Sequence, residues 1–249
     1  INSPFFAGLA VTVEEEAKSL GYNVLLCHTN EDTKIEKDYL KVLMERRVDG
    51  IIATPVGKSF KHYKNASKEI PIVFVGRIAE NLNINSIEVD NIGGSRKVIE
   101  HLLQLNHRKI GVINGPMFLS TGKKRWEGVK QALNENKIEI PSEYIEEGDF
   151  TIKGGYRCAM KLLNTVERPT AIFSANHLTA LGVLKAVREM GLSIPGDVAL
   201  ASFDGFEDSE IDLIIEPKIT ANIHPTSDMA RTAVNLVHQG VTNKMKGVF

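Results

Sequence analysis

The chain has 249 residues, 43% apolar and 24% charged, with a formal net charge of −1. That length carries one large α/β domain or two small ones, and the composition is that of an ordinary soluble globular protein. The near-neutral balance leaves no electrostatic footprint for nucleic acid on this chain alone. The two cysteines, Cys27 and Cys158, are too few for a disulfide framework, and no apolar run approaches the ~18 residues of a membrane span.

Pro4 to Leu20 reads as a helix with Val13, Ala17 and Leu20 on one face. Gly21 ends it, and Tyr22 to Cys27 reads as a strand with Cys27 a core thiol. Asp32 or Thr33 caps a second helix, with Ile35, Tyr39, Val42 and Leu43 at helical spacing. Ile51 to Ala53, Pro71 to Val75 and Ser86 to Val89 read as strands, with a weak basic helix over Lys58 to Lys68. The pattern then repeats. Helices are expected over Gly93–Leu105, over Lys123–Asn134 with Trp126, Val129 and Leu133 buried, and over Gly154–Leu163. Strands are expected over Lys109–Ile113 and Tyr144–Glu147.

The most informative stretch follows. Thr170 to Ser174 is a short apolar run that suits a buried strand. Asn176 suits the N-cap of a helix running to Met190, and Gly191 suits its C′ position. Val198 to Phe203 is the next buried strand, Ile219 to Asn222 a last short one, and Thr226 to Val237 an amphipathic helix. About nine strands alternating with helices indicate βαβ units and parallel sheets, best divided into two sheets of four to six strands. Asn176 and Asp204 then fall just past the carboxyl ends of two strands, where open α/β sheets bind ligands.

No catalytic constellation is visible. The run Gly115 to Lys124 sits between a strand and a helix like a phosphate loop, but its glycine spacing is wrong and Lys124 replaces the metal-binding hydroxyl. No Gly-x-Gly-x-x-Gly or Gly-x-Ser-x-Gly occurs, and the histidines show no metal spacing. What remains is a set of groups at strand-to-helix junctions: Phe6, Arg77, Thr121, Arg125, Phe150, Asn176 and Asp204. Each has a plain alternative: Asn176 as a cap, Arg125 as a surface arginine, Asp204 as a turn residue, Phe6 and Phe150 as core rings. Taken together, two rings, one guanidinium, a carboxylate and an amide suit a small polyhydroxylated or planar ligand.

Several segments carry a resemblance along nearly the whole chain: Asn2-Ser-Pro-Phe-Phe-Ala7, Arg46-Arg-Val-Asp-Gly-Ile-Ile52, Val89-Asp-Asn91, Leu105-Asn-His-Arg-Lys-Ile-Gly111, Arg125-Trp-Glu-Gly128, Glu147-Gly-Asp-Phe150, Arg168-Pro-Thr-Ala-Ile-Phe173, Gly191-Leu-Ser-Ile-Pro-Gly-Asp-Val198 and Ser202-Phe-Asp204. Together they resemble the effector-binding core of a lac-repressor-family transcription regulator. The resemblance implies a periplasmic-binding-protein-like type I α/β fold: two Rossmann-like subdomains with parallel sheets, joined by crossover strands. Residues 1–90 plus 223–245 would form the first subdomain and 91–222 the second. Crossovers are expected near Val89–Asn91, near Asn222–His224 and beyond about Gly240. The family's first core strand and last crossover strand lack counterparts here, so either a fragment or a chain with untraced ends is expected.

The resemblance further implies an effector, a sugar or related metabolite, held between the subdomains. Phe6 and Phe150 would cover it; Thr121, Arg125, Asn176 and Asp204 would hold its polar groups. Arg77 follows a departure, because many members carry Asp where Gly76 stands, which removes a hydroxyl acceptor. A homodimer is implied, with contacts flanking Lys58–Lys68 and Phe206–Leu213. So are operator DNA reached through a helix-turn-helix outside this chain, a cytoplasmic location, no membrane partner and no cofactor or metal. An extracytoplasmic sugar receptor of a transporter shares the fold. The turn Ile194-Pro-Gly-Asp-Val198 and the run Leu105 to Lys109 favour the regulator.

Overall fold

The computed structural model describes residues 3–205 and 216–245. It divides into two compact units, Ile1–Val89 with Pro225–Phe249, and Asp90–His224.

The first unit is built on three parallel strands in the order β1-β2-β3: β1 (Ile51–Ala53), β2 (Ile72–Val75) and β3 (Asn85–Ile87). Its helices are α1 (Pro4–Ser19), α2 (Thr33–Glu45), α3 (Lys61–Ala66) and α8 (Thr226–Met245). β2 is apolar throughout because helices cover both of its faces. Phe74 turns one way, into Leu40, Tyr63 and Ala66 of α2 and α3. Val73 and Val75 turn the other way, into Leu9, Met229, Ala230 and Ala233 of α1 and α8.

A buried carboxylate fastens α2 to the loop after β1. Glu36 is 3% exposed. It accepts from the Val56 amide at 2.7 Å and lies 2.8 Å from His62 Nε2. Burial and the neighbouring Glu36 carboxylate push the Tyr63 phenol up.

Two expectations fail in this unit. Tyr22 to Cys27 forms no strand, and Leu25 and Leu26 are 55% and 61% exposed. A strand exists through the ladder its neighbour supplies, and no described segment supplies one here. Ile35, Tyr39 and Val42 also face outward, while α2 buries Leu40 and packs Leu43 and Met44 on the core. The helix carries two apolar stripes, and spacing alone does not say which one is covered.

The second unit is a five-stranded parallel sheet in the order β5-β4-β6-β7-β8. Its strands are β4 (Ile110–Asn114), β5 (Ile145–Glu147), β6 (Ala171–Ser174), β7 (Ala199–Gly205) and β8 (Thr220–Ile223). A 3-10 turn, Ser142–Tyr144, precedes β5 and takes Tyr144 out of the strand expected there. The helices are α4 (Asn91–Gln104), α5 (Ser120–Glu135), α6 (Ile152–Leu163) and α7 (His177–Glu189). α6 and α7 bury Cys158, Leu162, Leu163, Ala180 and Val183 against Ile113, Ile172 and Leu200 of the sheet. These two helices touch through Gly155 and Gly182. A Cβ on Gly182 would lie 2.3 Å from the Ile152 carbonyl oxygen, so neither glycine tolerates a side chain at this spacing.

α5 starts at Ser120, three residues before the expected start at Lys123. Its buried face is Thr121, Gly122, Arg125, Gly128, Val129, Ala132 and Leu133. Trp126, expected in the core, is half-buried, and Arg125 is buried beside it. The eight strands among the described residues divide three and five instead of four to six each. The third crossover was expected beyond about Gly240, where α8 continues to Met245. Whatever follows lies outside the described residues, as does the Phe206–Leu213 contact segment apart from its flanks.

Candidate functional site

In the second unit the strands end together at Asn114, Glu147, Ser174 and Gly205, and the first three lead through short connections into α5, α6 and α7. Chain order reverses between β4 and β6, since β4 pairs with β5 on one side and β6 on the other. Such a switch point is where doubly wound sheets take their ligands. Thr121 and Arg125 stand on the first turns of α5, Phe150 in the β5–α6 turn, Asn176 in the β6–α7 turn, and Asp204 near the end of β7.

Arg125 is the centre of this group. Its guanidinium carbon lies 3.7 Å from the Phe203 ring centroid and 5.6 Å from that of Phe150. Nε donates to Asn91 Oδ1 at 3.0 Å, and Nη1 donates to the Ala175 carbonyl and lies 3.8 Å from Asp204 Oδ2. The side chain thus spans the β4–β6 seam, from α5 to the residue just past β6. It is 8% exposed, which overturns the surface-arginine reading. Asp204 accepts from the His177 amide through Oδ1 at 2.5 Å. His224 sits tilted against the Phe203 ring at 5.1 Å. Burial pushes its imidazole down, Asp204 acts upward and Arg125 downward. A histidine held below its ordinary range is neutral near pH 7.

Asn176 caps α7: Oδ1 accepts from the Thr179 amide at 2.9 Å, and Nδ2 donates to the Phe150 carbonyl at 3.2 Å. The cap therefore also holds the Phe150 turn. Phe150 adopts φ 61, unusual for an aromatic residue. Its half-buried ring covers Gly115, where an added Cβ would come within 2.0 Å of the ring. Two polar atoms near the start of α5 have no partner among the described residues: Thr121 Oγ1 and Asn114 Oδ1. The other end of the Asn114 amide is fixed by donation to the Gly122 carbonyl at 3.2 Å. Sequence reasoning missed Asn91, Asn114 and Phe203 as members of this group. A signal existed for Asn91, which ends the Val89-Asp-Asn91 segment.

Phe6 and Arg77 belong to the first unit. Phe5 and Phe6 meet edge to face, 5.2 Å between centroids, and both pack on the Leu9–Val75–Ala230 cluster. Phe6 is therefore partly a core ring, the plain alternative to its expected role over a ligand. Arg77 is buried, and both arms of its guanidinium are held by Glu31 at 2.6 and 3.0 Å. Gly76 has φ 77, and a Cβ there would lie 3.3 Å from the Phe5 ring.

The two rings should therefore respond differently to truncation. Phe150→Ala is expected to weaken ligand binding about tenfold with little change in unliganded stability. Phe6→Ala is expected to lower the urea midpoint of the unliganded chain, by about 2 kcal/mol in stability, because half-buried packing is lost. Denaturation without ligand, followed by calorimetric titration, separates the two effects.

Two α/β units with parallel sheets, and a polar and aromatic group at the strand ends of the larger sheet, define a ligand-binding core of the periplasmic-binding-protein kind. The chain belongs to the family described as periplasmic binding proteins and sugar binding domain of the LacI family, whose model matches residues 2–247. It is 31% identical over 248 residues to the HTH-type transcriptional repressor PurR of Haemophilus influenzae, covering 99% of this chain and 73% of that protein. Among solved structures it is similar to the transcription regulator CcpA of Lactococcus lactis, at 25% identity and a TM-score of 0.87, covering 98% of this chain and 88% of that one. It is likewise similar to a periplasmic binding protein/LacI transcriptional regulator from Alkaliphilus metalliredigens complexed with D-xylulofuranose. There the identity is 31% and the TM-score 0.82, over 98% of this chain and 88% of that one. These relatives are regulators and binding proteins, a non-enzymatic family. Among the described residues no helix is long and apolar enough to cross a membrane, and no cluster of His, Cys, Asp and Glu could hold a metal ion.

Proposed function

We propose that this chain is the effector-sensing core of a cytoplasmic transcription repressor. It binds a small sugar or purine-type metabolite and thereby controls DNA binding by an attached helix-turn-helix. The observation that carries this reading is the group around Arg125: a buried guanidinium stacked on Phe203, flanked by Asp204 and Phe150, with the unpartnered Thr121 hydroxyl on the same helix. Carboxylate and hydroxyl groups accept from ligand O–H or N–H donors, and the Phe150 ring covers an apolar ring face. Asn176 completes the proposed contact set of this unit, and Phe6 and Arg77 are the contacts proposed in the first unit. Effector binding that differs between two states of the chain shifts their populations, and an attached DNA-binding segment reads that shift.

A thermal-shift screen of pentoses, hexoses and purine bases tests the reading, since a ligand that binds the native state raises its stability. A hit whose binding survives both Phe150→Ala and Asp204→Asn would place the effector elsewhere. The repressor relatives favour this role; the D-xylulofuranose complex keeps a sugar receptor as the second reading. Footprinting of the full-length gene product, with and without the hit, decides between them.

We also propose a homodimer, which would present two headpieces to a two-half-site operator. Sedimentation at micromolar concentration should give about twice the chain mass of 27.5 kDa. A single species at the chain mass would count against the dimer.

A further inference from the structure

The proposed ligand contacts include two guanidinium groups, Arg77 and Arg125, and each already has a carboxylate. Arg125 faces Asp204 in the second unit. Arg77 is gripped at both arms by Glu31 in the first. Glu31 is an unusual partner. Its side chain is 56% exposed, whereas that of Arg77 is 8% exposed. Asn30 and Glu31 adopt φ 51 and φ 59, two successive non-glycine residues in the left-handed region. That backbone conformation is costly for such residues and persists where surrounding contacts hold it. The Asp32 cap of α2 follows directly, accepting from the Lys34 amide at 2.6 Å, so the loop is fixed on its far side as well.

We infer that Glu31 is a specificity-determining residue: by occupying the Arg77 fork it confines the chain to uncharged, hydroxyl- or N–H-bearing effectors. The inference rests on the reading of Arg77 and Arg125 as ligand contacts. An anionic ligand would have to displace a carboxylate that matches the guanidinium in both charge and two-point geometry. That carboxylate is tethered, so its effective concentration at Arg77 is in the millimolar range or above. An anion added without displacing it would be an uncompensated charge beside a neutral pair, which a buried site disfavours. The contacts proposed in the second unit have a preference of their own. Asn114 Oδ1 and Thr121 Oγ1 are unpartnered among the described residues. Asp204 Oδ2 has the long 3.8 Å contact to Arg125. Two of these three atoms only accept, so they call for ligand donors, which a carboxylate or a phosphate-monoester dianion lacks.

The test uses the 249-residue chain and two kinds of probe. The first is inorganic phosphate, titrated calorimetrically against chloride at matched ionic strength. Wild type and Glu31→Asp should show no saturable binding to about 10 mM. Glu31→Gln should gain saturable binding, lost again in Glu31→Gln/Arg77→Ala; this selectivity is a readout that a purely structural role for Glu31 would not move. Wild-type phosphate binding that Arg77→Ala abolishes, or no gain in Glu31→Gln, overturns the inference. The second probe is a matched pair, such as D-ribose with ribose 5-phosphate or hypoxanthine with inosine monophosphate. The uncharged member should bind at least about a hundredfold more tightly. A charged member that binds as well as its partner, with binding lost in Phe150→Ala, overturns the inference but leaves the site in place. A ligand of either charge that ignores Phe150→Ala and Asp204→Asn removes the site itself, and the inference with it.

Discussion

Arg125→Ala is expected to weaken effector binding by at least about a hundredfold and also to lower the stability of the unliganded chain by about 3 kcal/mol. The two losses share one cause. The guanidinium is the counter-charge of a buried carboxylate, the donor to the Ala175 carbonyl and the partner of the Asn91 amide. Truncation leaves Asp204 buried without its cation and strips the Phe203 ring of its stacked face. The sequence places Arg125 as a ligand contact or a surface arginine, and neither reading shows the buried network that ties it to folding. Asp204→Asn separates the roles: it keeps the acceptor for the His177 amide while removing the charge. Arg125→Lys keeps the charge but loses the planar fork and the stack. Urea denaturation without ligand, followed by titration with the best thermal-shift hit, measures each. An Arg125→Ala protein of unchanged midpoint would show that the guanidinium network contributes nothing to folding.

Glu36→Ala is expected to have the largest effect on stability, about 3–5 kcal/mol, with no direct effect on the second unit's residues. Glu36 is an acidic residue on the buried face of α2, where an apolar residue would normally stand. It is tolerated because its oxygens reach the Val56 amide and the His62 ring. Removing it orphans a buried amide and leaves a space beneath the loop that joins β1 to α3. Glu36→Gln retains an acceptor and should lose about half as much. Loss of the β1–α3 loop's amide-exchange protection, centred on Val56, would locate the damage. If exchange there matched wild type, the staple would not be what holds the loop.

The second unit was the more legible of the two because its signals are local. An apolar run, Asn176 as cap, Gly191 at φ 68 past the helix end, and another apolar run specify strand, helix, turn and strand with no knowledge of partners. Once both strands lie in one parallel sheet, Asn176 and Asp204 must fall on the same edge. The same logic brings Thr121, Arg125 and Phe150 there. What remained illegible depends on distant pairing. Tyr22 to Cys27 has the composition of a strand, but composition does not supply a neighbour. The Arg77–Glu31 pair joins residues 46 apart through a left-handed backbone that no glycine announces. The choice of Arg125 over Trp126 for the buried face of α5 runs against hydrophobic patterning, because the guanidinium is satisfied by a carbonyl, an amide and a carboxylate that lie elsewhere in the chain.

On the proposed site, the close fit of the Phe150 ring over Gly115 would give this protein a route to new effectors that leaves its charged groups untouched. A single methyl group at position 115 would collide with the ring at 2.0 Å and force it off its perch. Arg125 would lose the outer of its two aromatic neighbours while keeping the Phe203 stack that anchors it. The change would enlarge the space above the guanidinium, with no new charge to neutralise and no buried pair to rebuild. If the proposed site holds the effector, position 115 would act as a dial on ligand size. Libraries that vary it together with Phe150 would sample effector preference at a far lower risk of unfolding than libraries aimed at Arg125 or Asp204.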